Sequence, residues 1–305
     1  MAMDPATTTE LSSRAHRAGF LTLAGRTNVG KSTLLNRLVG QKVAIVSPKP
    51  QTTRRRVVGI RSDPDAQLII IDTPGFHDSR QPLNRRMVDA AWRCVAEAEV
   101  IAVIVEARPA LDPRDRAVLE QIARLARPIV VVINKIDRGE PARTLPLAEA
   151  AHQILPSAEV VPISALTGDN IEEFLRVAKR LLPVSPSLMA EDEYTQETER
   201  MLTEEIVREK IFLAMRQEIP FSTAVQVEQF LDEDGLTRIN AIVLVAREAH
   251  KGMLIGAGGR QLKQIGTEAR LELEQLLARR VFLGLRVKVE PGWTSDPRRL
   301  RELGL

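Results

Sequence analysis

One short segment near the start of the chain constrains its fold more than any other feature. Residues 25–32 read Gly-Arg-Thr-Asn-Val-Gly-Lys-Ser, which fits the pattern G-x-x-x-x-G-K-[ST]. They stand between an apolar segment, residues 20–24, and a helix-like segment, residues 32–39. Glycines let successive backbone N–H groups point at phosphate oxygens, and the following helix N-terminus adds partial positive charge. The segment therefore predicts a phosphate-binding strand–turn–helix unit.

The chemistry of this turn assigns a role to several of its side chains. Lys31 is expected to bridge the β- and γ-phosphates of a nucleotide, and Ser32 to ligate Mg²⁺. The predicted phosphate-binding residues are Gly25, Asn28, Val29, Gly30, Lys31 and Ser32.

The first half of the chain alternates between apolar strands and helical segments. Continuous apolar strands that alternate with helices predict a parallel sheet covered on both faces. Residues 57–61 are expected to add an edge strand. The predicted strands are residues 20–24, 67–72, 100–105, 129–134 and 159–164, and the helical segments are residues 82–96, 113–125 and 171–182.

The second half has a different order of elements: helix, strand, strand, glycine-rich turn, helix and strand. They fall at residues 197–217, 223–230, 238–247, 256–259, 264–280 and 281–289. We predict an α/β domain with a mostly parallel sheet, followed by a smaller α+β domain. The predicted boundaries are a flexible tail at residues 1–17, the first domain at 18–184, a proline-containing linker at 185–195 and the second domain at 196–305.

The composition limits the classes of protein to which the chain can belong. Its 305 residues are 44% hydrophobic and 27% charged, and a chain of this length typically forms two domains. The 43 basic and 40 acidic residues are too balanced for coating nucleic acid by bulk charge. Cys94, the lone cysteine, cannot form an internal disulfide or a Cys-based zinc site. We expect a cytoplasmic protein.

Two further motifs follow predicted strands. Asp72, at the start of Asp-Thr-Pro-Gly, can reach Mg²⁺, and the Gly75 N–H can contact a γ-phosphate, although the same four residues also form ordinary turns. Asn-Lys-Ile-Asp follows a later strand, and the Asp137 carboxylate can accept hydrogen bonds from N1–H and the 2-amino group of guanine. Adenine offers neither donor, so this carboxylate would select guanine.

The guanine site is completed by neighbouring residues. The stem of Lys135 can pack along the base, and a backbone N–H of the Ser-Ala-Leu segment after the fifth strand can meet guanine O6. The predicted guanine-binding residues are Asn134, Lys135, Asp137, Ser164 and Ala165.

These motifs, in this order and each at the carboxyl end of a strand, resemble those of the translation-factor-related GTPases. The resemblance implies that the first switch segment lies at residues 50–54. Its Mg²⁺-ligating threonine is then Thr53, which stands directly before an arginine, with Thr52 as the alternative. Arg54 and the two arginines after it form a charge run, which is expected to be solvent-exposed. The implied Mg²⁺ ligands are Ser32, Thr53 and Asp72.

Two residues bear on the rate of hydrolysis. Phe76 stands where Ras-like enzymes carry a water-orienting glutamine, so we expect slow intrinsic turnover. GTPases with an asparagine at the position of Asn28 often bind K⁺ beside the phosphates, although Asn28 can equally serve to shape the loop.

The second glycine-rich turn predicts RNA binding. A G-x-x-G sequence before a helix, within this element order, resembles the KH domain of the bacterial type (type II), whose loop clamps the backbone of about four nucleotides. A dinucleotide site would need a parallel βαβ unit, which is not evident. Residues 247–288 carry nine basic and four acidic side chains, which favours a local RNA site. The predicted RNA-binding residues are Ile255, Gly256, Ala257, Gly258, Gly259, Arg260 and Lys263.

Taken together, residues 19–305 resemble the Era family of bacterial ribosome-assembly GTPases, although Thr27 replaces the family's usual proline. The resemblance implies a monomer that binds GTP and GDP, Mg²⁺ and the 3′ end of small-subunit rRNA. It also implies a role in maturation of the small ribosomal subunit and peripheral contact with the inner membrane. The alternatives are a GTPase whose second domain binds protein, and a P-loop kinase.

Overall fold

The computed structural model describes residues 15–77, 82–139, 144–216 and 218–305. Most of the predicted N-terminal tail lies outside these residues, but Arg17, its last residue, already begins the first strand. Within the described residues, none of the helices combines the length and the apolar character that a bilayer span requires.

The first half of the chain forms a six-stranded sheet in the order β2-β3-β1-β4-β5-β6. Neighbouring strands are parallel except at the β2–β3 edge, which is antiparallel. This confirms the mostly parallel sheet and its edge strand. The strands are β1 (Arg17–Gly25), β2 (Val57–Asp63), β3 (Ala66–Asp72), β4 (Val100–Glu106), β5 (Ile129–Asn134) and β6 (Glu159–Ile163).

Helices cover both faces of this sheet, which is why its central strands are continuously apolar. The helices are α1 (Lys31–Val39), α2 (Pro82–Glu97), α3 (Pro113–Ile122), α4 (Thr144–Ile154) and α5 (Ile171–Leu181). The helices α1 and α5 pack on one face, and α2, α3 and α4 pack on the other. The helix α4 was not predicted, because only Leu147 and Ala151 of its side chains are buried and its apolar periodicity is weak.

The second half forms a three-stranded sheet, with most of its helices packed on the inner face and a short C-terminal helix on the outer face. The strands β7 and β8 are antiparallel, whereas β8 and β9 are parallel. This confirms the α+β domain. The elements are α6 (Glu199–Ala214), β7 (Thr223–Glu233), β8 (Leu236–Val245), α7 (Glu248–Ile255), α8 (Arg260–Leu277), β9 (Arg280–Val289) and α9 (Pro297–Glu302). The short helices α7 and α9 were not predicted, and α8 begins earlier than expected, directly at the glycine-rich turn.

The predicted linker follows the edge of the first sheet. The Ile60 N–H donates to Tyr194 O at 2.9 Å, and Thr195 Oγ1 donates to Val58 O at 2.6 Å. The side-chain oxygen of Gln67 accepts hydrogen bonds from the backbone N–H groups of Leu188 and Met189. This segment is therefore fixed to the first domain over much of its length.

An apolar cluster joins the two domains. Leu83 and Met87 of α2 pack with Leu244 of β8 and with Trp293, on the outer face of the second sheet. Helix α2, which follows the Asp-Thr-Pro-Gly motif, therefore packs directly against the second domain.

Candidate functional site

The sequence motifs of the first domain meet at one cavity of about 520 Å³. This volume is within the range of small-molecule sites, roughly 300–1,000 Å³. The cavity lies at the carboxyl ends of the parallel strands, where α/β sheets bind their ligands. Its lining includes the predicted residues Asn28, Gly30, Lys31, Ser32, Thr52, Thr53, Gly75, Asn134, Lys135, Asp137 and Ala165.

The phosphate loop is closely packed against the guanine motif. Gly30 has a φ of 103°, and a Cβ at this position would lie 2.2 Å from Asn134 Nδ2. Only glycine therefore fits at position 30. No side chain caps the N-terminus of α1, so its first amides are available to an anion.

Asn134 holds two loops together, a role that the sequence did not reveal. Its Nδ2 donates to Val29 O at 2.7 Å, and its Oδ1 accepts the Ala165 N–H at 2.9 Å. Asn134 therefore fixes the phosphate loop to the Ser-Ala-Leu segment. The Ala165 N–H, a candidate donor to guanine O6, is already used in this contact.

Lys31 is buried beneath the phosphate loop. Its ammonium donates to Gly25 O at 3.1 Å and to Arg26 O at 2.8 Å. Burial lowers the pKa of Lys31 to about 8, although Asp72 opposes this shift. A phosphate group beside Lys31 would favour its charged form.

The three predicted Mg²⁺ ligands come together. Ser32 Oγ donates to Asp72 Oδ2 at 2.5 Å, and Thr53 Oγ1 lies 2.9 Å from Ser32 Oγ and 3.3 Å from Asp72 Oδ2. Asp72 Oδ1 is buried without a hydrogen-bond partner, and burial raises the pKa of Asp72. A buried carboxylate oxygen beside two hydroxyl groups fits a hard cation such as Mg²⁺.

The two switch threonines have different surroundings. Thr52 Oγ1 donates to Lys49 O at 2.9 Å and lies 2.7 Å from Ser47 Oγ. It is thus held within its own loop, whereas Thr53 reaches Ser32 and Asp72. This geometry favours Thr53 as the metal ligand.

The guanine motif lies at the mouth of the cavity. Ser164 Oγ donates to Asp137 Oδ1 at 2.6 Å, while the rest of Asp137 is exposed. Lys135 has a φ of 70°, and its ammonium pairs with Glu106 Oε1 at 3.0 Å. This ion pair between Lys135 and Glu106, which the sequence did not indicate, fixes the end of the Lys135 side chain.

Phe76 is not among the residues that line the nucleotide cavity. The residue is 5% exposed, and its ring packs on Trp92 of α2 with 4.4 Å between ring centroids. The residue after Gly75 therefore anchors α2 and offers no polar side-chain group to water.

Arg54 corrects the expectation of an exposed charge run. It is only 5% exposed, because its guanidinium reaches into the second domain. It donates to Thr223 O at 2.7 Å, to Pro220 O at 2.9 Å and to Phe221 O at 3.0 Å. The residue next to Thr53 thus contacts the second domain directly, which no local sequence pattern indicates.

Two further switch contacts reinforce this connection. The Lys49 ammonium donates to Phe212 O and Met215 O at the C-terminal end of α6, where the helix dipole is negative. Buried Glu209 accepts the Val46 N–H at 2.8 Å and pairs with Lys42 at 2.6 Å. Residues on both sides of the switch threonines are therefore bound to the second domain.

The predicted RNA loop forms a left-handed turn between two helices. Gly256, Gly258 and Gly259 all have positive φ. Gly258, with a φ of 60°, has no atom within 4 Å of the position of a Cβ. Ile255 ends α7, and the amides at the start of α8 have no side-chain cap. The exposed side chains of this region include Ala257, Arg260 and Lys263.

A groove of about 340 Å³ adjoins this loop. It lies between α8 and β9, with Lys263 and Arg270 beside an apolar wall of Leu262, Leu283 and Leu285. The three leucines were not predicted as site residues, because they also belong to ordinary apolar periodicities. Cationic and apolar surfaces side by side suit a nucleic acid strand with unstacked bases.

Comparisons with known proteins agree with this architecture. A family model described as "50S ribosome-binding GTPase" matches residues 20–135, and a KH-domain model matches residues 218–294. The GTPase Era of Nitratidesulfovibrio vulgaris (strain DP4) is 47% identical over 299 residues, covering 95% of this chain and 97% of that protein. The GTPase Era of Geobacter metallireducens is 42% identical over 296 residues, covering 96% and 99%.

Solved structures give the same result. An Aquifex aeolicus Era variant bound to GDP.AlF4- superposes with a TM-score of 0.91 and 40% identity, covering 94% of this chain and 99% of that chain. Era in complex with MgGDPNP and nucleotides 1506–1542 of 16S ribosomal RNA matches with a TM-score of 0.91 and 41% identity, covering 95% and 99%.

The geometry of the switch threonines generates a prediction. Thr53→Val keeps the shape of the side chain but removes the hydroxyl group near Ser32 and Asp72. We expect it to weaken binding of a non-hydrolysable GTP analogue by about tenfold, equivalent to ~1.4 kcal/mol, and to leave GDP binding nearly unchanged. Titration of fluorescent nucleotides in the presence of Mg²⁺ measures both affinities.

Thr52→Val is the matched control, since it removes a hydroxyl that contacts only its own loop. If Thr52→Val weakens the GTP analogue selectively while Thr53→Val does not, the assignment of Thr53 is wrong.

Proposed function

The chain belongs to the Era family of GTPases, and from that premise we propose that it hydrolyses GTP and uses the GTP state to bind RNA. The RNA is the 3′ end of small-subunit rRNA, held by the KH domain during maturation of the small ribosomal subunit. One observation carries this proposal: the segment that brings Thr53 to Asp72 also places Arg54 on the carbonyls of the second domain. A relative of the chain is solved with 16S rRNA nucleotides, which supports the choice of RNA.

The nucleotide is held by groups that this chain presents in advance. The phosphate loop and α1 offer backbone N–H groups, and Lys31 can exchange its carbonyl partners for phosphate oxygens. Asp137 accepts hydrogen bonds from the guanine edge. Mg²⁺, when bound, would neutralise charge that develops on the phosphate oxygens during transfer.

The γ-phosphate is expected to stabilise the switch conformation seen here. In this conformation the Thr53 hydroxyl lies beside Ser32 and Asp72, the other two expected Mg²⁺ ligands, and the switch residues Arg54 and Lys49 contact the second domain. Loss of the γ-phosphate would release Thr53 and weaken these contacts, since their geometry depends on the loop. The KH domain would then change its orientation and its affinity for RNA.

Hydrolysis is expected to be slow without further assistance. Phe76 packs on Trp92 and cannot orient an attacking water molecule.

A K⁺ ion bound at Asn28 would be one means of accelerating hydrolysis. The Nδ2 of Asn28 donates to Pro48 O at 2.8 Å, and its carbonyl oxygen is not used in that bond. This oxygen, at the edge of the nucleotide cavity, is of the type that binds K⁺.

The RNA proposal is tested by placing a negative charge in the glycine-rich turn. Gly258→Asp should abolish preferential binding of an RNA copy of the small-subunit rRNA 3′ end over a scrambled RNA, because the carboxylate repels the phosphate backbone that the loop must hold to position the bases for recognition. Fluorescence anisotropy of the full chain, with GDP and with a non-hydrolysable GTP analogue, measures this preference. The parent should bind the true sequence more tightly in the GTP state.

Gly235→Asp is a matched control. Gly235 also has a positive φ, of 81°, and no atom within 4 Å of a Cβ position, but it lies in the β7–β8 turn. If both RNAs bind the parent weakly and equally in both states, the RNA target is wrong and a protein-binding second domain becomes the better account.

The role of Asn28 leads to a separate prediction. GTP hydrolysis by the parent should be faster in KCl than in NaCl at equal ionic strength, and Asn28→Ala should lose the difference. Phosphate release at saturating GTP measures the rate. Equal rates of the parent in the two salts would contradict K⁺ binding and leave Asn28 with a loop-shaping role.

A further inference from the structure

A second cleft lies between the two domains, away from the nucleotide cavity and the KH groove. It has a volume of about 660 Å³ and is bounded by the arginine run after Thr53, by one face of α2 and by the end of the chain around α9. Six arginines line it, against the side-chain carboxylates of Asp89 and Glu97, and one of the six, Arg86, already donates to Leu305 O at 3.1 Å. The arginines are Arg54, Arg55, Arg56, Arg86, Arg93 and Arg301.

Several of these guanidinium groups lack a full set of partners. Arg56, Arg93 and Arg301 make no ion pair or side-chain hydrogen bond within the described residues. Arg55 reaches Glu197 at 3.4 Å and Met201 O at 3.2 Å, but its buried Nε has no hydrogen-bond partner. Like charges gathered in a concave surface repel one another, and an anion with several oxygens would relieve this repulsion.

The lining of the cleft indicates the kind of anion. Guanidinium groups bind phosphate oxygens in bidentate geometry. The residues that line the cleft, within the described part of the chain, include no aromatic ring on which a base could stack. The cleft therefore suits the phosphate backbone of a nucleic acid and offers little means of reading its bases.

We infer that this arginine-lined cleft is a second RNA contact, which binds backbone phosphates without sequence preference. This inference rests on the proposed function, because it takes RNA as the partner. The cleft is concave and spans both domains, a shape that suits a strand better than a flat membrane surface. Its walls include the residues after Thr53 and the helix after Gly75, so the bound phosphates would also contact the end of the switch segment and α2.

The test is the double variant Arg93→Ala/Arg301→Ala, which removes two exposed and unpaired charges from opposite walls. Anisotropy is measured with the true and the scrambled RNA over a series of KCl concentrations, in the presence of the GTP analogue. Both RNAs should bind more weakly by the same factor. The slope of log affinity against log salt should become shallower by about 1.4, at ~0.7 for each phosphate contact on a single strand.

The matched control is Arg124→Ala/Arg127→Ala. These two arginines are exposed, and within the described residues their side chains form no ion pair or hydrogen bond. They lie between α3 and β5, at the end of the sheet opposite the nucleotide cavity. The control removes the same charge but should leave the salt slope unchanged. Equal slopes for the cleft variant and this control would overturn the inference.

Two other outcomes separate the alternatives. If the cleft variant keeps its RNA affinity but no longer sediments with vesicles that contain anionic lipid, the cleft binds membrane and the RNA inference is wrong. If the parent does not distinguish the true from the scrambled RNA and Gly258→Asp changes nothing, the proposed function fails. The salt slopes of the cleft variant then still decide whether the cleft binds phosphate.

Discussion

The buried carboxylate of Asp72 is the group on which the rest of the arrangement depends. Burial of a carboxylate is costly unless hydrogen bonds or a cation compensate for it. Here the hydroxyls of Ser32 and Thr53 both reach Asp72 Oδ2, while Oδ1 remains available. The phosphate loop, the switch segment and β3 are thereby held at one point.

The consequences of this contact extend to the second domain, because Thr53 is followed by Arg54. The Arg54 guanidinium is buried on three carbonyl groups at the start of β7, and it lies 5.7 Å from the centre of the Phe212 ring. Such polar contacts need correct geometry to compensate for desolvation. A shift in the switch loop would therefore weaken them, whereas the apolar packing of α2 on Leu244 and Trp293 tolerates small adjustments.

The sequence predicted most of the fold because its strongest signals are local. Continuous apolar strands, the phosphate loop and the glycine-rich turn each determine their own structure, and the order of elements then determines the two domains. The meeting of Ser32, Thr53 and Asp72 followed from the family resemblance. The helices α4, α7 and α9 were missed because each buries only one or two side chains. Their apolar periodicity is correspondingly weak.

The features that sequence reasoning missed at the site are all tertiary. Nothing near Arg54 in the chain shows that its partners are carbonyl groups more than 160 residues away. Asn134 likewise connects two loops that are distant in sequence, and the arginine cleft combines residues from three separated segments. Long-range contacts of this kind become visible only when the domains are placed together.

The central claim is that the switch segment couples the nucleotide to the RNA surface, and thermodynamic linkage tests it directly. The affinity of the parent for the GTP analogue should rise on adding the rRNA fragment, by the same factor by which the analogue raises RNA affinity. Arg54→Lys keeps the charge but cannot span three carbonyl groups, so it should reduce both factors towards one while each ligand still binds. The account would be contradicted if the two coupling factors in Arg54→Lys equalled those of the parent, or if the parent showed no coupling.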